Sequence, residues 1–174
     1  MSRPLTIVGV LALGLALSAC TRPDRFGGAG SDPGLAGPGT VSELPQGGPN
    51  DPASPEYFSQ TVGDRVLFEV DQSTLNAQAT AVLDGQARWL NANPDYLALI
   101  EGHADEQGTR EYNVALGARR ANAVREYLIA QGVAPTRIRT ASFGKERPTA
   151  VCSDESCYAQ NRRAVTVISI GQIG

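Results

Sequence analysis

The stretch Tyr96-Leu97-Ala98-Leu99-Ile100-Glu101-Gly102, running on into His103-Ala104-Asp105-Glu106-Gln107-Gly108-Thr109, decides the fold. Residues 96–101 form a short apolar run of the length and composition of a strand, and Gly102 closes it. His103 to Gly108 reads as a polar loop. Thr109 is an N-cap residue type, and the residues after it carry apolar side chains at Tyr112, Leu116, Ala123, Val124, Tyr127 and Leu128. That spacing predicts an amphipathic helix from Thr109 to about Gln131, with Gly132 as its C-cap.

The same reading extends in both directions. Upstream, Val66-Leu67-Phe68-Glu69-Val70 is a β-prone run ended by Asp71. Ser73 or Thr74 is expected to cap a helix whose stripe is Leu75, Ala79, Val82, Leu83, Gln86 and Leu90, and Asn93-Pro94 ends it. Downstream, Ile138 to Phe143 is a third strand, residues 144–160 are irregular with a short helix, and Arg163 to Ile170 is the last strand. The order βαβαβ(α)β implies an α/β (α+β) two-layer sandwich, with helices on one face of a mixed sheet. Residues 63–174 are enough for one modest core. The chain has no internal repeat.

The N-terminus has a different character. Arg3 precedes a run of about 13 apolar residues, Leu5 to Leu17, short of the roughly 20 that span a bilayer. Ser18 and Ala19 follow, which is the layout of a secretory signal peptide. Leu17-Ser18-Ala19-Cys20 resembles the lipobox of bacterial lipoproteins. That resemblance implies cleavage after residue 19 and acylation of Cys20, and the Thr21 that follows implies sorting to the outer membrane. Residues 20–62 are rich in Gly and Pro and lack sustained apolar periodicity, the composition of a flexible linker. About 42 such residues give a root-mean-square span of roughly 35 Å as a flexible coil. The organisation expected is therefore a signal peptide over 1–19, a lipidated Cys and linker over 20–62, and a folded domain over 63–174.

Composition excludes several classes. The 174-residue chain has a formal net charge of −3 and a single His. An acidic chain without Lys/Arg clusters does not fit nucleic-acid binding. One His excludes a multi-histidine metal site, and no cofactor is called for. The three Cys divide into Cys20 and the pair Cys152/Cys157. In an exported protein the pair is expected to form a disulfide.

Two charged residues stand out. Asp105 follows the second strand. Arg120 lies four residues after Leu116 and three before Ala123, within the apolar stripe of the long helix, where a charge needs a partner. Asp105 and Arg120 are therefore expected to face one another across a cleft, beside the free N–H groups of the helix start. A bare structural ion pair is the competing reading. A hydrolase built on His103 with Asp105 or Glu106 is the competing functional class.

The segment Val66–Ile170 resembles the OmpA-like peptidoglycan-binding domain family. The resemblance rests on Phe68-Glu69-Val70-Asp71, on Glu101 through Thr109, on Glu111-Tyr112-Asn113-Val114-Ala115-Leu116-Gly117-Ala118-Arg119-Arg120-Ala121, on Ser142-Phe143-Gly144-Lys145-Glu146-Arg147-Pro148, and on Asn161-Arg162-Arg163-Ala164-Val165. It implies a non-catalytic protein that grips the diaminopimelate end of the peptidoglycan stem peptide. In that reading Asp105 takes the ammonium and Arg120 the carboxylate, with Asp71, Asn113, Leu116 and Arg163 lining or supporting the site. The lipid-anchored members of the family further imply an outer-membrane tether, with TolB and TolA of the Tol system as partners in envelope integrity and in constriction at division. The Cys152/Cys157 pair departs from the best-known members.

Overall fold

A computed structural model describes residues 47–171 of the chain. The expected signal peptide, Cys20 and most of the linker lie outside the described residues.

The fold begins earlier than the linker boundary at residue 62 suggests. Ser54 caps a single helical turn, α1 (Pro55–Tyr57), which runs into a π-helical turn over Phe58–Gly63. Phe58 is 1% exposed and packs on Trp89, with ring centroids 4.9 Å apart. The Trp89 indole donates to the Pro52 carbonyl at 2.7 Å, and the Tyr96 hydroxyl donates to that of Ala53 at 3.1 Å. One aromatic residue and two indirect anchors are too sparse to show as periodicity, so the sequence reads as linker where the chain is already packed.

Strand β1 (Arg65–Leu67) is shorter than the run 66–70, because Phe68 turns inward and the chain then bends through Glu69–Gln72. Helix α2 (Ala77–Ala92) starts later than Ser73 or Thr74 would place it. Asn76 is its cap, accepting from the Ala79 N–H at 2.8 Å. Its buried face includes Ala79, Leu83, Ala87 and Leu90, at helical spacing. Strand β2 (Tyr96–His103) runs two residues past Glu101. Thr109 caps α3 (Arg110–Ala130), accepting from the Tyr112 N–H at 3.2 Å. A 3₁₀ turn, β3 (Ile138–Gly144), α4 (Glu155–Asn161) and β4 (Arg163–Ile170) complete the chain.

The four strands form one mixed sheet in the order β1-β4-β2-β3. The chain is thus the two-layer α/β sandwich implied by the βαβαβ(α)β pattern. β4 pairs antiparallel with both β1 and β2, and β2 pairs parallel with β3 through the α3 crossover. The core between the layers gathers Val66, Leu83, Leu90, Ala98, Ile100, Val124, Leu128 and Ile138. Helix α3 lies unusually close to β2. A Cβ on Gly102 would stand 1.8 Å from the Gly117 carbonyl oxygen, and a Cβ on Gly117 would stand 2.5 Å from Ser142 Oγ. Only glycine fits at either position, and this contact fixes where the β2–α3 loop meets the helix.

Candidate ligand-binding site

The loop between β2 and α3 forms one wall of a cavity of about 330 Å³. Ala104 N–H donates to the Gly144 carbonyl at 2.8 Å, which anchors the loop to β3. Gln107 N–H donates to Asp105 Oδ1 at 3.3 Å, and Asn113 Nδ2 reaches back from α3 to the Gln107 carbonyl at 2.8 Å. The second wall is the 69–72 turn. There Asp71 adopts φ 57°, the left-handed region that Asp tolerates better than most residues, and accepts from the Tyr112 hydroxyl. That bond holds the tyrosine proton, so the Tyr112 pKa lies above its ordinary value. Val70, Asp71, Asp105, Gln107, Gly108, Tyr112, Asn113 and Leu116 line the cavity. Four of the six residues assigned by the resemblance therefore meet there: Asp71, Asp105, Asn113 and Leu116.

Arg120 joins the two walls from behind. It is 0% exposed, and its guanidinium donates to the carbonyls of Gln72 at 2.8 Å, His103 at 2.8 Å and Glu69 at 3.1 Å. Burial pulls its pKa down to about 10, against the opposing pull of Asp105 and Asp71, so it stays charged at neutral pH. The bare Asp105–Arg120 ion pair, the competing reading of the sequence, is not among the contacts of the described residues. Arg120 settles on main-chain carbonyls that α3 brings within reach, while Asp105 pairs with Arg162, at 3.3 Å.

Arg163 also falls elsewhere. Its Nη2 donates to the Arg147 carbonyl at 3.1 Å, and it is absent from the cavity lining. Consecutive residues of an extended chain point in opposite directions, so of the adjacent Arg162 and Arg163 only the first reaches Asp105. Sequence reasoning missed Arg162, Tyr112 and Gln107. Tyr112 was expected in the core and is 44% exposed. It sits three residues after Thr109, in the first turn of α3, where the helix meets the loop rather than the sheet.

The residues named for a hydrolase do not assemble. His103 is 2% exposed, and neither ring nitrogen has a hydrogen-bond partner among the described residues. It stacks on Phe143 at 5.6 Å and lies 3.7 Å from Glu101, away from the cavity that holds Asp105. Burial and the nearby Arg163 and Arg147 cations lower its pKa to about 4. Cys152 and Cys157 are joined in a disulfide. The one grouping of potential metal ligands among the described residues is Cys152, Asp154 and Cys157, and that disulfide occupies both of its sulfurs.

A binding domain with a charged cavity at a strand–loop–helix junction is the class that this fold and site define. The OmpA family matches residues 67–162. The peptidoglycan-associated lipoprotein of Rhizobium meliloti is 48% identical over 95% of this chain and 87% of its own length. That of Agrobacterium fabrum is 46% identical over 91% and 84%. The crystal structure of the peptidoglycan-associated lipoprotein from Burkholderia pseudomallei is 41% identical, with a TM-score of 0.62, and covers 70% of this chain and 98% of its own. The C-terminal domain of Helicobacter pylori MotB shares the fold at 22% identity and a TM-score of 0.58. The chain belongs to the OmpA family and, within it, to the peptidoglycan-associated lipoproteins, a non-enzymatic group.

Proposed function

We propose that this chain binds peptidoglycan non-covalently at the Asp71/Asp105/Asn113/Leu116 cavity and takes there the diaminopimelate side chain of the stem peptide. The observation that carries the reading is the cavity itself. It places two carboxylates in front of a buried, charged guanidinium. A side chain ending in an ammonium and a carboxylate on one carbon matches that charge pattern. Asp105 takes the ammonium. Arg120 uses three of its five N–H groups on carbonyls. In this reading a shift of the 69–72 turn opens the remaining two to the ligand carboxylate. Asp71 and Asn113 hold the two walls, and Leu116 packs against the aliphatic stem.

Membership among the lipoproteins, together with the lipobox at Leu17–Cys20, supports a wider role. Acylated Cys20 anchors the chain in the outer membrane, the Gly/Pro-rich composition after it gives reach, and the domain tethers the membrane to the wall. Several acyl chains give stable anchoring, since each buried CH₂ contributes roughly 0.8 kcal/mol. In this role the chain works within the Tol system, with TolB and TolA as partners, in envelope integrity and in constriction during division.

Co-sedimentation with purified sacculi tests the binding. Asp105→Ala is expected to leave most of the chain in the supernatant. Parent-like co-sedimentation of a folded Asp105→Ala chain rejects the site. Fractionation and intact-mass measurement of the mature chain test the anchor, with a triacylated Cys20 in outer-membrane fractions as the expected result.

A further inference from the structure

Arg162 follows α4 and stands between two carboxylates. Its Nη1 lies 3.3 Å from Asp105 Oδ2 and 3.4 Å from Glu155 Oε2, and its Nη2 donates to Glu155 Oε1. Its Nε donates to the Phe68 carbonyl at 3.2 Å. The two-pronged edge of the guanidinium therefore faces Glu155, and Asp105 receives one prong. Such an edge favours two parallel contacts with a single carboxylate. Asp105 has one further contact, the Gln107 N–H on Oδ1. An ionised carboxylate has about four acceptor positions, which leaves room for an ammonium group.

The backbone around Glu155 is held by its surroundings, while its side chain is 65% exposed and meets Arg162. Glu155 is the first residue of α4, a seven-residue helix. So short a helix does not hold itself in water. Asp154 caps it, accepting from the N–H groups of Ser156 and Cys157, at 2.9 and 3.4 Å. Buried Cys157 is bonded to Cys152, five residues earlier. Asn161, at the far end, accepts from Thr149 N–H at 2.8 Å and Ala150 N–H at 3.1 Å.

We propose that Glu155, held in place by the Cys152–Cys157 loop, is a positioning residue for the ligand site: it engages the fork of Arg162 and so keeps the Asp105 carboxylate open to an ammonium group. This rests on the assignment of Asp105 to the ligand's ammonium. Without Glu155 the fork turns to Asp105, occupies both of its oxygens and competes with the ligand.

Calorimetric titration of the full chain with the tripeptide L-Ala-γ-D-Glu-meso-diaminopimelate tests this. Glu155→Ala is expected to weaken binding about tenfold, the loss of one charge-assisted contact. The double variant Glu155→Ala/Arg162→Lys is expected to recover most of that loss, because an ammonium cannot fork onto Asp105. A packing defect would deepen, not recover, with the second substitution. Reducing the parent with dithiothreitol transfers two electrons and two protons to the disulfide, giving two thiols and a cyclic disulfide on the reagent. The reduced chain is expected to bind as weakly as Glu155→Ala. The role of Glu155 is overturned if Asp105→Asn abolishes binding while Glu155→Ala and the reduced chain bind like the parent. It is overturned equally if Arg162→Lys restores nothing. If Asp105→Asn binds like the parent, the site reading itself fails and takes this inference with it.

Discussion

Arg162 Nη1 lies 3.3 Å from Asp105 Oδ2, and both side chains are almost wholly shielded from water. Asp105 lines the cavity and Arg162 holds it from outside the lining, while Arg120 braces the walls through carbonyls. Removing one partner of a buried pair leaves the other charge uncompensated. Arg162→Ala is therefore expected to destabilise the domain by about 3 kcal/mol, read by urea denaturation. A loss below ~1 kcal/mol would place the pair among solvent-screened contacts instead.

The contact between Gly102 and Gly117 sets the distance from α3 to β2. A methyl group at residue 117 meets Ser142 Oγ at 2.5 Å and the Gly102 carbonyl oxygen at 2.7 Å. Gly117→Ala is expected to cost about 1–3 kcal/mol, as overpacking does. It should also weaken wall binding, because α3 carries Asn113 and Leu116 while β2 leads into Asp105. Thermal denaturation and sacculus co-sedimentation, run on the same sample, check both effects.

His103 gives the domain an acid-sensitive element. Its folded pKa is about 4, set by burial and by the Arg163 and Arg147 cations, against an ordinary value of 6.5. Between those values the unfolded chain binds the proton and the folded chain does not. Stability from this group is therefore fully present above about pH 6.5 and lost as the pH falls toward 4, on the order of 3 kcal/mol in all. Denaturation of parent and His103→Phe across that window is expected to show the parent losing stability relative to the variant as the pH falls. Parallel curves would show that His103 does not titrate there.

The Cys152–Cys157 bond closes a short loop, so its effect on the unfolded chain is modest. Cys152→Ser/Cys157→Ser is expected to lower stability by about 2 kcal/mol, measured by denaturation without reductant. A much larger loss would mean that the thiols pack in the core beyond what the buried Cys157 implies.

Much of this was legible in the sequence because it depends on local signals. The strand–loop–helix at 96–131, the Thr109 cap and the last strand at 163–170 all follow from periodicity and capping chemistry. What escaped depends on partners distant in sequence. Asn76 caps α2 rather than Ser73 or Thr74, and three candidate caps in four residues look alike until the helix is docked. Phe58 enters the core through Trp89, 31 positions away, from a segment with linker composition. In the site, four of the six expected residues line one cavity, but the contacts that hold them could not be read from the sequence. Arg120 was identified as a charge needing partners, but its partners are carbonyls of Glu69, Gln72 and His103, which carry no sequence signature. Arg162 and Arg163 differ only in which way an extended chain turns them.

The zwitterion reading of the cavity can be put to a single comparison of two ligands. Calorimetry of the chain with L-Ala-γ-D-Glu-meso-diaminopimelate and with L-Ala-γ-D-Glu-L-Lys, which lacks only the terminal carboxylate, separates recognition of both charges from recognition of an amine alone. If Asp105 takes the ammonium and Arg120 the carboxylate, the diaminopimelate peptide binds at least about tenfold more tightly, and Asp105→Asn weakens binding of both peptides, which share the ammonium. Equal affinity for the two peptides would mean that Arg120 stays bound to its three carbonyls and serves the fold alone.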